Sequence, residues 1–235
     1  MILLHSYEKL ISGILVKRYK RFLADVRLAD GSTVTVFTPN SGSMKTCSDP
    51  GSPAMLLYDP KPGRKTQYNL EMVQSGDTWV GVNTGLANTL GARIIDAGLS
   101  GHPELEGFTV SRREIVYGDS RFDLKISSGE EEGFVEIKNV TYRSGNTALF
   151  PDAVTTRGQK HLNTLMQARS EGHTACNLYI VQRSDCLDFA PAREIDPEYS
   201  AAMDRAAGEG VIMIACMLDV QPDGIRFESV LPLKE

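Results

Sequence analysis

Two carboxylates and an amine stand at a spacing that could do chemistry: Asp123 within Arg121-Phe-Asp-Leu124, and, about a dozen residues on, Glu136-Ile-Lys138. In an extended chain alternate side chains point to opposite faces. Glu136 and Lys138 therefore share a face with Phe134, and Val135 and Ile137 take the other. On the preceding strand Asp123 goes with Arg121 and Lys125, opposite Phe122 and Leu124. A turn through Ser127-Ser-Gly129 and Glu130-Glu-Glu-Gly133 sets Asp123 beside Glu136 and Lys138. Carboxylates that close repel unless a cation lies between them. Mg²⁺ suits such a pair, since it takes one or two carboxylates and keeps several waters, and Mn²⁺ is the natural substitute. Asp123 and Glu136 are then the metal ligands, and Lys138 orients a water aimed at a phosphate. On spacing alone the plainer reading is a solvated charged face, because these residue types are common on strands.

The elements that must carry these residues favour the chemical reading. Leu86, Leu90 and Ile94 recur at helical spacing with Ala87 and Ile95, with Thr84 as the expected N-cap and Gly98 as the C-cap. Asn88 lies off that apolar stripe. Strands follow at Arg113–Tyr117, around Asp123 and around Glu136, then a helix from Arg157 to about Ser170, then the apolar strand Ala175–Val181. Helix, three strands, helix, strand is the order of the PD-(D/E)XK nuclease core, and the acids fall on its second and third strands. Ahead of the second helix, Thr156-x-x-Gln159 reads as a capping box. Helix starts attract phosphates, and Arg157, Gln159, Lys160 and His161 cluster there. Taken singly, His161 reads as a surface residue. A further helix capped by Asp196-Pro197, the strand Val211–Met217 and a hairpin at Asp223-Gly224 extend the sheet.

The first third reads differently. Several short strands with regular turns predict a small oligonucleotide-binding (OB-like) β-barrel over residues 1–80, and the nuclease-like αβββαβ domain occupies residues 81–235. The fold class is thus α/β (α+β). Lys17-Arg-Tyr-Lys-Arg-Phe22 interleaves Lys17, Arg18, Lys20 and Arg21 with two aromatics, a pattern for phosphate contact and base stacking or for a charged edge strand. Asn40-Ser-Gly-Ser43 forms a small polar loop whose amides, with Ser41 and Ser43, could cradle a phosphate or simply turn the chain.

At 235 residues the chain can bury a large core, and its ordinary hydrophobic and charged fractions point to a globular protein. The opening residues show no signal-peptide pattern, no apolar run approaches a spanning helix, and the four cysteines lack metal-ligand spacing. A cytoplasmic protein with reduced thiols and no membrane partner is expected. The net charge of -5 argues against a general polyanion binder, but it is uneven. Residues 1–80 hold ten Lys and Arg against seven Asp and Glu, while residues 81–235 hold fifteen against twenty-three.

With Pro39-Asn-Ser-Gly-Ser-Met44, Val82-Asn-Thr84, Arg121-Phe-Asp123, Glu136-Ile-Lys138 and Phe150-Pro-Asp-Ala-Val-Thr-Thr-Arg-Gly-Gln-Lys-His161, the chain resembles the sugar fermentation stimulation protein A family over nearly its whole length. Ser41 stands where that family usually has Thr, and Asn139 where Ser is frequent. The resemblance implies an OB-like first domain, a nuclease-like second domain, DNA binding (Asn40, Ser41, Ser43 and Asn83 lie in its motifs) and a role in regulating sugar (maltose) utilisation genes. Many nucleases of this core carry an acid on the first helix. Here that helix offers Asn88 and Asp96, and Glu114 on the next strand is the candidate replacement. Three readings stay open: a DNA-binding protein built on a nuclease fold, an active Mg²⁺-dependent nuclease using Asp123, Glu136 and Lys138 with Glu114 or Gln159 in support, and a non-catalytic protein-interaction or small-ligand factor. The DNA could be duplex or single-stranded.

Overall fold

Short alternating segments build the first body. In β3 (Leu23–Leu28) Ala24 and Val26 point inward and Asp25 and Arg27 outward, and β2 (Ile11–Tyr19), β4 (Thr33–Phe37), β5 (Pro53–Tyr58) and β6 (Tyr68–Ser75) also turn apolar side chains inward. The order β4-β3-β2-β5-β6 closes on itself where Phe37 of β4 meets Asn69 of β6, giving a five-stranded barrel. Leu15, Val26, Val36, Leu56, Leu70 and Val73 fill it. β7 (Thr78–Gly81) extends from β6 toward the second body. This computed structural model describes residues 1–234.

The expected division at residue 80 needs one correction. β1 (Ile2–Ser6) does not join the barrel; it pairs antiparallel with β16 (Gly224–Leu231) at the edge of the second body's sheet. Leu4 is buried in that sheet's core, so burial rather than chain position decides where the strand goes.

The second body follows the expected order: α1 (Ala87–Asp96), β8 (Thr109–Tyr117), β9 (Ser120–Ser128), β10 (Glu131–Val140), α2 (Thr156–Ser170) and β13 (Thr174–Val181). β11 (Arg143–Ser144) and β12 (Thr147–Phe150) are inserted before α2, and they form a separate small sheet with β14 (Asp188–Pro191). After α3 (Pro197–Gly208), β15 (Ile212–Gln221) and β16 complete a seven-stranded sheet ordered β1-β16-β15-β13-β10-β9-β8. Its centre, β10-β13-β15, is parallel. α1 packs one face with Leu90, Ile94, Val135, Ile137 and Leu178, and α2 and α3 cover the other with Leu162, Leu165, Tyr179 and Tyr199. A Cβ on Gly91 would lie 2.6 Å from Ile137 Cδ1, so glycine lets α1 lie close on β10. Among the described residues no helix is long and apolar enough to cross a membrane.

Two local expectations change. The β9–β10 turn is tighter than expected: Ser128 pairs with Glu131, leaving only Gly129 and Glu130 between the strands. Phe122 and Leu124 do not share a core either; Phe122 packs under α2 and Leu124 under α1. The ladder to β10 ends at Leu124–Val135, and Glu114, between the residues that pair with Leu124 and Phe122, has a left-handed backbone at φ 51°. The strand rotates where its partners cease to hold it flat.

The two bodies are sewn together by buried polar groups. Gly81 donates its amide to Gln182 O at 2.9 Å. Arg183, wholly buried, forms two bonds to Asp185 (2.6 and 2.8 Å) and also donates to Thr141 O at 2.8 Å and to barrel residue Thr46 Oγ1 at 3.3 Å. A buried guanidinium so fully paired fixes geometry, because removing any partner would strand a charge.

Candidate active site and nucleic-acid interface

Where the β9–β10 ladder stops, a side chain takes over from the backbone. Asp123 Oδ2 accepts from the Ile137 amide at 2.8 Å, and Asp123 Oδ1 accepts from Asn88 Nδ2 at 2.7 Å. Asn88 is therefore not a solvated helix residue: the close approach of α1 brings its amide onto the carboxylate. Burial, then the neighbouring Glu136 charge, push Asp123 above the usual carboxylate range, against those two hydrogen bonds.

Glu136 sits beside it, only 4 % exposed. Its Oε1 accepts from Lys138 Nζ at 2.8 Å and from His161 Nδ1 in a shorter contact. Burial would raise this carboxyl, but the His161 bond and the Lys138 charge outweigh it, and its pKa lies below the ordinary value. Glu136 Oε2 is buried with no hydrogen-bond partner. An ionised carboxylate oxygen left this way is costly unless something positive meets it. Among the described residues no three His, Cys, Asp or Glu gather as a metal cluster, so the donor set is this carboxylate pair. It suits a hard cation that keeps most of its waters and not a structural zinc, which takes four protein ligands.

His161 corrects the surface expectation. It is buried on the inner face of α2 with Leu162 and Leu165, one turn after Gly158, and Arg157 Nε donates to its Nε2 at 3.3 Å. With Nε2 accepting, Nδ1 carries the proton given to Glu136. A chain of contacts thus runs from a rim arginine through a histidine to a candidate ligand. The i, i+3, i+4 burial on α2 was the signal that could have found it.

Asp123, Glu136 and Lys138 lie in a cleft of about 450 Å³ between the two bodies, which Arg21, Asn40, Ser41, Asn88 and Arg157 also line. Other candidate residues are engaged elsewhere. Glu114 stands exposed, 3.7 Å from Arg121, and does not line the cleft. Gln159 turns to the α3 cap, with Nε2 3.4 Å from Asp196 Oδ1, and Thr155, not Thr156, caps α2 by accepting from Gly158 N at 3.0 Å. Asn83, not Thr84, caps the turn before α1, and its amide holds Glu71 at 2.9 and 3.0 Å. Lys17 pairs with Asp25 at 3.6 Å, and Lys20 and Lys160 are exposed away from the cleft lining.

The Asn40–Ser43 loop also differs from an open phosphate cradle. Arg18, expected to reach phosphate, donates instead to the carbonyls of Asn40, Gly42 and Ser43 at 2.9, 2.9 and 3.1 Å. Asp152, from the second body, fills the amide side, accepting from Ser43 N at 2.7 Å, Ser43 Oγ at 3.2 Å and Met44 N at 3.4 Å. The loop is an anion site already holding a carboxylate, and a Cβ on Gly42 would lie 2.4 Å from it. That clasp joins the barrel to the cleft floor.

The chain matches two family models, one described as the SfsA N-terminal OB domain over residues 16–82 and one as the sugar fermentation stimulation protein RE domain over residues 85–224. It is 47 % identical over 226 residues to a sugar fermentation stimulation protein homolog of Geotalea uraniireducens, covering 96 % of this chain and 97 % of the relative. A homolog from a Synechococcus strain is 43 % identical over 216 residues, 91 % of this chain and 89 % of the relative. The solved structure of Pyrococcus furiosus SfsA in complex with Ca²⁺ matches with a TM-score of 0.90 and 28 % identity, covering 100 % of both chains. With both domain models in sequence and relatives alike over almost the full length, this chain belongs to the sugar fermentation stimulation protein family.

Proposed function

We propose that this protein binds DNA in the cleft between barrel and core and hydrolyses its phosphodiester bonds with a divalent cation, Mg²⁺ or Mn²⁺, held by Asp123 and Glu136. The observation that carries this reading is the buried, unpartnered Oε2 of Glu136 beside Asp123, with the Lys138 ammonium 2.8 Å from the same carboxylate. A relative solved with Ca²⁺ supports divalent binding by this fold. The cation's contribution is to polarise the phosphate and acidify a water. Asn88 and the Ile137 amide fix Asp123 in rotamer and position. His161 and Lys138 hold Glu136 Oε1, so that only Oε2 is left to bind. Lys138 orients the attacking water and offsets charge on the phosphate. Arg21 and Arg157, on opposite walls, grip flanking phosphates.

A second reading is DNA binding alone, serving the regulation of sugar-utilisation genes that the family resemblance implies. Asn88 favours it, because an amide stands on the helix where many such enzymes place an acid, and this leaves two carboxylates as donors. Incubation of the purified protein with plasmid and with single-stranded DNA, with Mg²⁺ or Mn²⁺, separates the two. Expected is cleavage that Asp123→Ala and Lys138→Ala abolish. Intact strands at high protein excess would leave the binding reading, and cleavage that survives both substitutions would place the chemistry elsewhere.

A further inference from the structure

Two large aromatic rings lie on the barrel outside its apolar core. Phe22 and Phe37 have ring centroids 6.2 Å apart and planes inclined by 26°, and neither belongs to the cluster that fills the barrel. Phe22 is 40 % exposed. A guanidinium lies over each ring: Arg21 is 5.5 Å from the Phe22 centroid and Arg64 is 5.4 Å from that of Phe37. Each ring thus has its own cation beside the other ring. Arg21 also lines the cleft that holds Asp123 and Lys138.

We propose that Arg21, Phe22, Phe37 and Arg64 form a stacking track that leads an unpaired polynucleotide strand into the cleft, so that the substrate of this site is single-stranded DNA. The inference rests on the cleft being the DNA site. Base faces stack on aromatic rings whatever their sequence, and guanidinium planes add to the stack. A duplex keeps those faces turned inward against one another and offers such rings nothing but backbone. Charge complementarity favours a polyanion of either form on the barrel, since residues 1–80 carry a net positive charge while the rest is acidic. Arg64 is partly neutralised by Asp59 at 3.0 Å, so the rings rather than net charge carry the contact there.

The test measures binding of fluorescein-labelled oligothymidylate, and of a duplex of the same length, by anisotropy with Ca²⁺ present. Phe22→Leu and Phe37→Leu keep apolar bulk and remove the π face, and Phe22→Tyr and Phe37→Tyr restore it. Expected is tighter binding of the single strand than of the duplex, and a loss of about ten-fold in single-strand affinity for each Leu variant, within the range for one stacked base. The Tyr variants should bind as wild type, and duplex binding should not change. In wild type alone, 2-aminopurine within the oligonucleotide should change its fluorescence on binding as it stacks. Leu variants that melt like wild type and bind the single strand equally well would overturn the track while leaving DNA binding intact. So would equal losses for single strand and duplex. A wild type that binds neither form overturns both this inference and the proposed function. An oligouridylate arm tells DNA from RNA, and tighter binding of it would move the substrate to RNA.

Discussion

The two walls of the cleft are built on opposite principles. On the core side, Asp123, Glu136 and His161 are buried or nearly so, and their contacts set each rotamer and charge state. On the barrel side, Arg21 and Ser41 stand exposed, and backbone clasps such as Arg18 on the loop and Asp152 on its amides supply the order. A site that must aim a water at one bond needs fixed groups, whereas one that only grips a polymer can use mobile cations and flat rings. Buried contacts are therefore where single substitutions should act most strongly.

The largest effect should come from the core wall. Asp123→Ala or Lys138→Ala is expected to cut cleavage by about 100-fold or more, read as single-turnover rates. If either variant loses only what a barrel cation loses, the contrast between the walls collapses. Next comes His161→Ala, which leaves Glu136 Oε1 with Lys138 alone. Loss of such a supporting contact should weaken divalent-ion affinity by about 10- to 100-fold, measured by calorimetry with Ca²⁺. Unchanged affinity would make His161 a packing residue.

The seam between the walls gives a pH dependence. Burial pushes Glu71 up to about 7, against its hydrogen bonds from Asn83. A raised carboxyl adds stability that is complete below its unfolded value, near 4.5, and is lost as pH rises through about 7. Wild type should thus lose up to about 3 kcal/mol relative to Glu71→Gln between mildly acid and neutral pH in denaturant titrations. A constant difference between the two proteins would show that folding leaves the Glu71 carboxyl at its unfolded value. The smallest effect belongs to the exposed wall: Arg21→Ala should weaken DNA binding a few-fold and reduce the salt slope by about one. Lys17→Ala, held by Asp25 away from the cleft, should do neither.

Much of this was legible because it is periodic. Alternation placed Glu136 and Lys138 on one face, helical spacing gave α1, a capping pattern gave the start of α2, and their order gave the core. What was not legible depends on three-dimensional closeness. Asn88 acquires its partner because Gly91 lets α1 lie near β10, and no pattern along the chain records that distance. Arg18 and Ser43 look like phosphate contacts in composition, yet Asp152, more than a hundred residues away, satisfies the loop's amides first. Glu114 had the right type and neighbourhood, but it faces solvent and Arg121 instead of the cleft. Sequence indicates which groups could meet, and packing decides which do.

The carboxylate pair can be tested most directly by anomalous diffraction from crystals soaked in Mn²⁺, with Asp123→Ala as the control. Expected is a strong peak within about 2.0–2.4 Å of both an Asp123 oxygen and Glu136 Oε2, absent from the variant. No peak between those carboxylates at saturating Mn²⁺, or one that persists without Asp123, would contradict a shared cation as the centre of the site.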